Sequence, residues 1–242
     1  ISEIATEFGD TTPNSMSEYY RGGSLVPDAP ANASIPESGA IEMQDFYGAT
    51  NRIAVPLTIS ANTQNYNVYT QANASPLYTA GIADVTLTIN PGVVVGSSST
   101  GSYALNVPNA FNAGDTVTIV NNGTVIGRGG NGGNGGTQPS NGGGGGGGGA
   151  GNTAGSGGAG GSVPGPNGGS GAGGSTTGGG GGGAGPGPAG AGGSGGGQGA
   201  NGSSGAGGNY RGAGGGGTRG SYLVGNPNVT YPATGTRLGQ VS

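Results

Sequence analysis

Between residues 127 and 220 glycine occupies 52 of 94 positions, and the only large apolar side chains there are Val163 and Tyr210. No hydrophobic core can form from such a segment, because burial of apolar area is the main term that offsets the entropy of ordering a chain. Fixing a residue costs roughly 1 to 2 kcal/mol, and glycine lies at the expensive end. A collagen triple helix needs glycine at every third position, and the unbroken run Gly142 to Gly149 violates that period. Two states remain. One is a flexible Gly/Ser linker. The other is polyglycine II, in which chains in the threefold polyproline II conformation hydrogen-bond laterally because no side chains keep them apart. Net contributions of roughly 0.5 to 1.5 kcal/mol per hydrogen bond would offset much of the ordering cost.

The interruptions of the glycine runs favour the ordered state. They are Thr137-Gln138-Pro139-Ser140-Asn141, Asn152-Thr153, Ser162 to Asn167, Ser175-Thr176-Thr177, Pro186-Gly187-Pro188-Ala189, Gln198 to Ser204 and Asn209-Tyr210-Arg211. If each reverses the chain, alternate interruptions share one end. The first, third, fifth and seventh then hold Pro139, Pro164, Pro166, Pro186 and Pro188 together with Val163, Tyr210 and Arg211. The opposite end receives only small and polar residues. A display surface is therefore expected from Thr137, Gln138, Pro139, Ser140 and Asn141 with Val163, Pro164, Pro166 and Asn167. Pro186, Pro188, Asn209, Tyr210 and Arg211 complete it, Tyr210 and Arg211 being of the types that dominate binding hot spots.

The flanking composition divides the chain into four segments. Residues 1–50 carry short helical signals: Ile1, Ile4 and Phe8 at helical spacing, and Ser15 with Glu18 as a capping box. The pattern Met, any, acid, aromatic, Tyr occurs at Met16–Tyr20 and again at Met43–Tyr47, each soon followed by glycine. So few apolar groups suit either a local cap on the next unit or a docking segment ordered by a partner. Candidate docking residues are Phe8, Tyr19, Tyr20, Arg21, Phe46 and Tyr47.

Residues 51–127 read as a small β-domain in which Leu57, Ile59, Val68, Tyr69, Val85, Leu87 and Ile89 belong to strand-like runs. Residues 84–96 align without gaps on 115–127, an offset of 31, each copy reading strand, turn, strand through Asn-Pro-Gly or Asn-Asn-Gly. That repeat suits hairpins, a compact sandwich or a partial β-helix, with Asp84 and Asp115 capping or pairing locally or, less simply, binding calcium. Residues 128–220 are the glycine block, and 221–242, with Tyr222, Leu223, Val229 and Leu238, return as a strand on the β-domain. The fold class is thus mostly β and irregular: a short-helix N-terminal segment, a small β-domain, an inserted polyglycine II sandwich and a closing strand.

Absences narrow the chemistry. The chain has no Cys, His or Trp, and all six of its basic residues are Arg. It lacks a thiolate, an imidazole base, the usual zinc, copper or haem ligands and a Schiff-base lysine, so no cofactor, no metal site and no enzymatic activity are expected. Residues 1–50 hold eight acids against Arg21, giving −7; residues 51–242 hold Asp84 and Asp115 against five Arg, giving +3. Five dispersed arginines form no nucleic-acid footprint, and no stretch approaches the 18 or so apolar residues of a membrane span. G-x-G-x-x-G matches inside the block have no βαβ context. Ile1 at the start points to a removed initiator Met or an upstream piece.

Specific residues also carry a resemblance. Ile4-Ala5-Thr6-Glu7-Phe8-Gly9, Ser17-Glu18-Tyr19-Tyr20-Arg21-Gly22-Gly23 and Ile35-Pro36 to Tyr47-Gly48 resemble an N-terminal module of tailed-bacteriophage structural proteins. Leu57-Thr58-Ile59-Ser60 and the strand repeat, running into Gly127-Arg128-Gly129-Gly130-Asn131, are similar to phage tail proteins with a glycine-rich domain, and the block resembles the tip adhesins of T-even-type long tail fibres. The resemblance implies a non-enzymatic adhesin at a virion tail or fibre tip, outside the cell. Its polyglycine II loops would bind a host surface protein or glycan, and residues 1–50 would dock on another virion tail or fibre protein. It would act as a monomer on a trimeric fibre or as a homo-oligomer, without nucleic acid or membrane insertion. A non-adhesive fibre, baseplate or decoration subunit is the alternative, and a glycine-rich matrix or ice-binding protein a third.

Overall fold

The computed structural model describes residues 2–11, 15–136, 143–149, 151–162, 167–175, 178–186, 190–196 and 202–203, and the backbone of four short strands between Ser221 and Val241. Among the described residues helix is confined to short pieces, and the rest is sheet or irregular.

The N-terminal segment folds over a small core of its own. Helix α1 (Ser2–Phe8) buries Ile4 and Phe8, four residues apart as expected, while Ile1 lies outside the described residues. The two copies of the Met-aromatic-Tyr pattern become 3-10 turns, Met16–Glu18 and Met43–Phe46, with Gly22 and Gly48 at φ 78° and 80° just beyond them. The expected capping box differs in detail: the Ser15 hydroxyl accepts from Ser17 N at 3.4 Å, whereas in the second copy the Asp45 carboxylate accepts from Glu42 N at 2.8 Å. Equivalent aromatics of the two copies, Tyr19 and Phe46, meet edge to face at 6.0 Å, and Phe8 packs on both. Val26 and Ile35 complete this core. Hydrogen bonds from Asn51 N to Glu7 and between Asn32 and Thr50 tie the segment to the start of the β-domain.

Residues 53–126 and the C-terminal strands wind into coils. The elements are β1 (Ile53–Ile59), β2 (Thr63–Gln64), β3 (Tyr66–Asn67), α2 (Val68–Asn73), β4 (Ala83–Ile89), β5 (Val94–Gly96), β6 (Leu105–Asn106), β7 (Thr116–Asn121) and β8 (Thr124–Ile126). After the glycine block come β9 (Ser221–Leu223), β10 (Val229–Thr230), β11 (Thr236–Leu238) and β12 (Gln240–Val241). They form three sheets in the orders β1-β4-β7-β10, β2-β5-β8-β11 and β3-β6-β9-β12. Each coil therefore gives one strand to each sheet. Every described strand pair is parallel, which rules out the hairpins admitted from sequence.

Stacking of like on like holds the coils together. Val55, Val85 and Val117 share one register position, and Leu57, Leu87 and Ile119 another. Val85, Leu87 and Ile119 are at most 1% exposed. Burying each such side chain contributes about 1.5 to 3 kcal/mol. The repeat is real, but its gapless offset of 31 is wrong locally. Val85 pairs with Val117, an offset of 32, and Val95 with Val125, an offset of 30. At 31, buried Val85 would oppose exposed Thr116, because a one-residue slip turns every side chain to the other face. The corner absorbs the difference, being residues 90–93 in one coil and 122–123 in the next. Gly92 there has φ 77°, whereas a Cβ on Gly123 would meet Val93 O at 2.4 Å. One corner glycine serves a left-handed dihedral and the other a close approach.

Val68 and Tyr69, read as strand residues, lie in α2. Asn67 accepts from Thr70 N at 3.0 Å and caps the helix, and Val68 with Ala72, four residues apart, turns one face into the core.

The corner between the second and third sheets varies most. It is one residue in the first coil (Asn65), residues 97–104 in the second, and residues 127–220 in the third. The glycine block is thus flanked on both sides by strands of one coil.

Candidate functional site

Six described glycine-rich runs make up the block: g1 (128–136), g2 (143–149), g3 (153–162), g4 (167–175), g5 (178–186) and g6 (190–196). They hydrogen-bond through the backbone at every third residue. Gly143, Gly146 and Gly149 donate to Gly136, Gly133 and Gly130, each at 2.8 Å. Gly155, Gly158 and Gly161 donate back to Gly149, Gly146 and Gly143. Gly145 and Gly148 donate to g4, Gly144 and Gly147 to g6, while Gly180 and Gly183 of g5 donate to Gly148 and Gly145. Run g2 is therefore ringed by the other five, and all seven of its residues are buried.

This position explains the composition. A Cβ on Gly144, Gly145, Gly147 or Gly148 would meet a carbonyl oxygen of g5 or g3 at 1.9 to 2.1 Å. In g1, g3 and g6 exposed side chains recur at every third residue: Asn131 and Asn134, Ser156, Ala159 and Ser162, Ala191 and Ser194. Asn131 and Asn134 also serve the lattice, their Oδ1 atoms accepting from Ser156 N and Ala159 N at 3.0 Å.

Successive runs are antiparallel, so their ends gather into two sets. One is joined to the coils: Asn152 N donates to Gly127 O at 3.1 Å, Arg128 N donates to the Ser97 hydroxyl at 2.7 Å, and Arg128 Nη1 donates to Ser98 O. The other brings together Gly136, Gly143, Gly161, Gly168 and Ala184 through the bonds Gly143–Gly136, Gly161–Gly143, Gly168–Gly161 and Gly169–Ala184. Of the expected display residues, Asn167 is exposed beside Gly168, and Pro186 is half-buried two residues past Ala184. Thr137, Gln138, Pro139, Ser140, Asn141, Val163, Pro164, Pro166, Pro188, Asn209, Tyr210 and Arg211 lie outside the described residues.

The candidate docking residues divide by burial. Phe8 and Tyr19 are interior at 5% and 0% exposure, so they hold the segment together; Tyr19 presents no surface, whereas an edge of Phe8 lines the groove between α1 and the Met43–Phe46 turn. Tyr20 donates to Gly39 O, and Arg21 is clamped by Asp28 and Glu37. Phe46 is half-buried and Tyr47 is 94% exposed. Sequence reasoning missed Met43, exposed at 58% beside Tyr47. Its only signal was membership of the repeated pattern.

The two aspartates of the β-domain are engaged by protein donors. Asp84 accepts from Arg52 and from Thr116 Oγ1 at 2.6 Å, tying three coils together. The Arg52 hydrogen bond, aided by Thr116, holds its carboxyl below the usual range despite partial burial. Asp115, 3% exposed, accepts from Tyr78 Oη, Gly81 N, Ala83 N and Asn112 N at 2.8 to 3.1 Å. Burial, then the bond to Asp115, pushes the Tyr78 phenol well above its usual range. Among the described residues no group of three or more acidic side chains could hold a metal ion.

Fold and site together define a scaffold of stacked parallel coils, one corner of which holds a lattice of antiparallel glycine-rich runs. Residues 54–144, from β1 into g2, match the model of the family described as phage tail fibre adhesin Gp38. The match supports a tailed-phage tail fibre adhesin and an extracellular place in the virion tail fibre. Residues 1–53 and 145–242 lie outside it. No curated protein and no solved structure matches the chain.

Proposed function

We propose that the protein is a non-enzymatic tail fibre adhesin whose glycine block is a polyglycine II bundle, with the loops at the end remote from the coils binding a host surface protein or glycan. The observation that carries this reading is the alternation of run direction. It gathers the run ends at Gly136, Gly143, Gly161 and Ala184 on the side away from Arg128 and Ser97, where the interruptions richest in Pro and in large side chains connect them. Tight lateral packing suits the role, because rigid presentation lowers the entropy lost on binding. Residues 1–50 would face the remainder of the fibre.

Adsorption of the labelled protein to a panel of bacterial cells tests the proposal. Tyr210→Ala and Arg211→Ala together should lower adsorption at least tenfold, the scale of a hot-spot loss. Protease treatment of the cells should abolish binding to a protein receptor, and periodate treatment binding to a glycan. Undiminished adsorption by a variant in which residues 128–220 are replaced by a short loop would overturn the reading and leave a structural virion protein.

A further inference from the structure

We infer that the groove between α1 and the Met43–Phe46 turn is a docking site for a cationic segment with an apolar anchor, supplied by another protein of the tail fibre. This names the partner chemistry for the fibre-facing segment and rests on the reading above. The groove, about 500 Å³, is of a size that takes one or two side chains. Ile4, Phe8, Phe46 and Ala49 line its apolar part, and Met43 and Tyr47 stand beside them.

Among the described residues Met43, Tyr47 and Leu77 are the exposed large hydrophobics, and two of these three flank this one groove. Scattered exposed apolar residues are ordinary; a pair around a concavity is a mark of an interaction site. Tyr and Met are also types enriched in interface cores. The turn that presents them is set before any partner arrives, by the Asp45–Glu42 bond of 2.8 Å and by Gly48 at φ 80°.

Charge selects the occupant. Glu3 and Glu7 line the groove, Glu42 and Asp45 belong to the same turn, and no Arg is among the lining residues. The one cation of residues 1–50, Arg21, is held by Asp28 and by Glu37 at 2.7 Å. Two copies meeting through this acidic face would repel, as would an anionic surface. A segment with Lys or Arg on either side of an aromatic or aliphatic anchor satisfies both the apolar lining and the rim.

Panning a random peptide library on the full-length protein tests this without cells. The expected binders are net positive, carry a bulky apolar residue between basic ones, lose at least tenfold in affinity against Tyr47→Ser or the Glu3→Gln/Glu7→Gln double variant, and weaken severalfold from 0.05 to 0.5 M salt. Tyr47 is exposed, so its replacement leaves the fold intact, and an unchanged melting curve checks that. Recovery of acidic or neutral binders, binders indifferent to Tyr47, or no saturable binder at all would overturn the inference. So would self-association abolished by Tyr47→Ser, which would make a second copy the occupant. Adsorption of Tyr47→Ser to host cells should equal that of the unaltered protein; its loss would put receptor contact at this groove and overturn the fibre-partner assignment, whereas failure of the loop variants alone would leave it standing.

Discussion

Gly147 and Gly181 show how differently one residue type can be constrained. A Cβ at 147 would meet Gly180 O at 1.9 Å and Gly180 C at 2.5 Å, both backbone atoms, while a Cβ at 181 meets nothing within 4 Å. Gly147→Ala should therefore destabilise the block by about 1 to 3 kcal/mol or more, the cost of forced overpacking. Gly181→Ala should be neutral or stabilising by about 0.4 to 1 kcal/mol through the unfolded state. Amide exchange across residues 143–149 and 178–186, compared in the two variants, reads both effects. If Gly147→Ala left protection in g2 unchanged, the central position of that run would be wrong. From the sequence, Gly142 to Gly149 was visible as the longest run, but nothing local distinguished its glycines from Gly181, because the obstructing carbonyls come from g3 and g5.

The coils are elements tied across by charge as well as by stacking. Asp84 has its carboxyl depressed by the Arg52 hydrogen bond, so its contribution to stability is present above the ordinary carboxylate range and is lost as pH falls through the depressed value. Tyr78 is raised by burial and by Asp115, so its contribution is full below the ordinary phenol range and is lost as pH rises towards the raised value. Between about pH 5 and pH 9 neither group should alter stability, since both ordinary values lie outside that window. Urea unfolding against pH should show an acid limb that Asp84→Asn flattens and an alkaline limb that Tyr78→Phe flattens. The strands of these coils were legible as β-branched runs at the right places. Their parallel pairing was not, since Asn-Pro-Gly and Asn-Asn-Gly corners suit a hairpin as well as a coil, and only the Val85–Val117 and Val95–Val125 registers separate the two.

At the scale of the molecule, the glycine block occupies a corner that another coil closes with residues 97–104. A chain joining residue 126 to residue 221 through a copy of that eight-residue loop should keep the coils. The stacks of Val85, Leu87 and Ile119 lie outside the block, and β9 pairs β6 through the backbone. Circular dichroism should show retained sheet signal, and urea unfolding a single cooperative transition. A chain that failed to fold would mean that the block supports the coils as well as projecting from them, through Arg128 on Ser97 and Asn152 against Gly96.

The amino-acid order alone established that no hydrophobic core exists between residues 127 and 220, that the chain is mostly β and irregular, and that it resembles a tail fibre adhesin. Each of these rests on composition or local pattern, which folding does not change. Tertiary structure decided which glycines are sterically required, which aromatics of residues 1–50 are core and which are surface, and which residues stack between coils. Phe8, Tyr19 and Tyr47 look alike in the sequence; 5%, 0% and 94% exposure separate them. Burial and register are relations between residues far apart in the chain, and only the packed fold sets them.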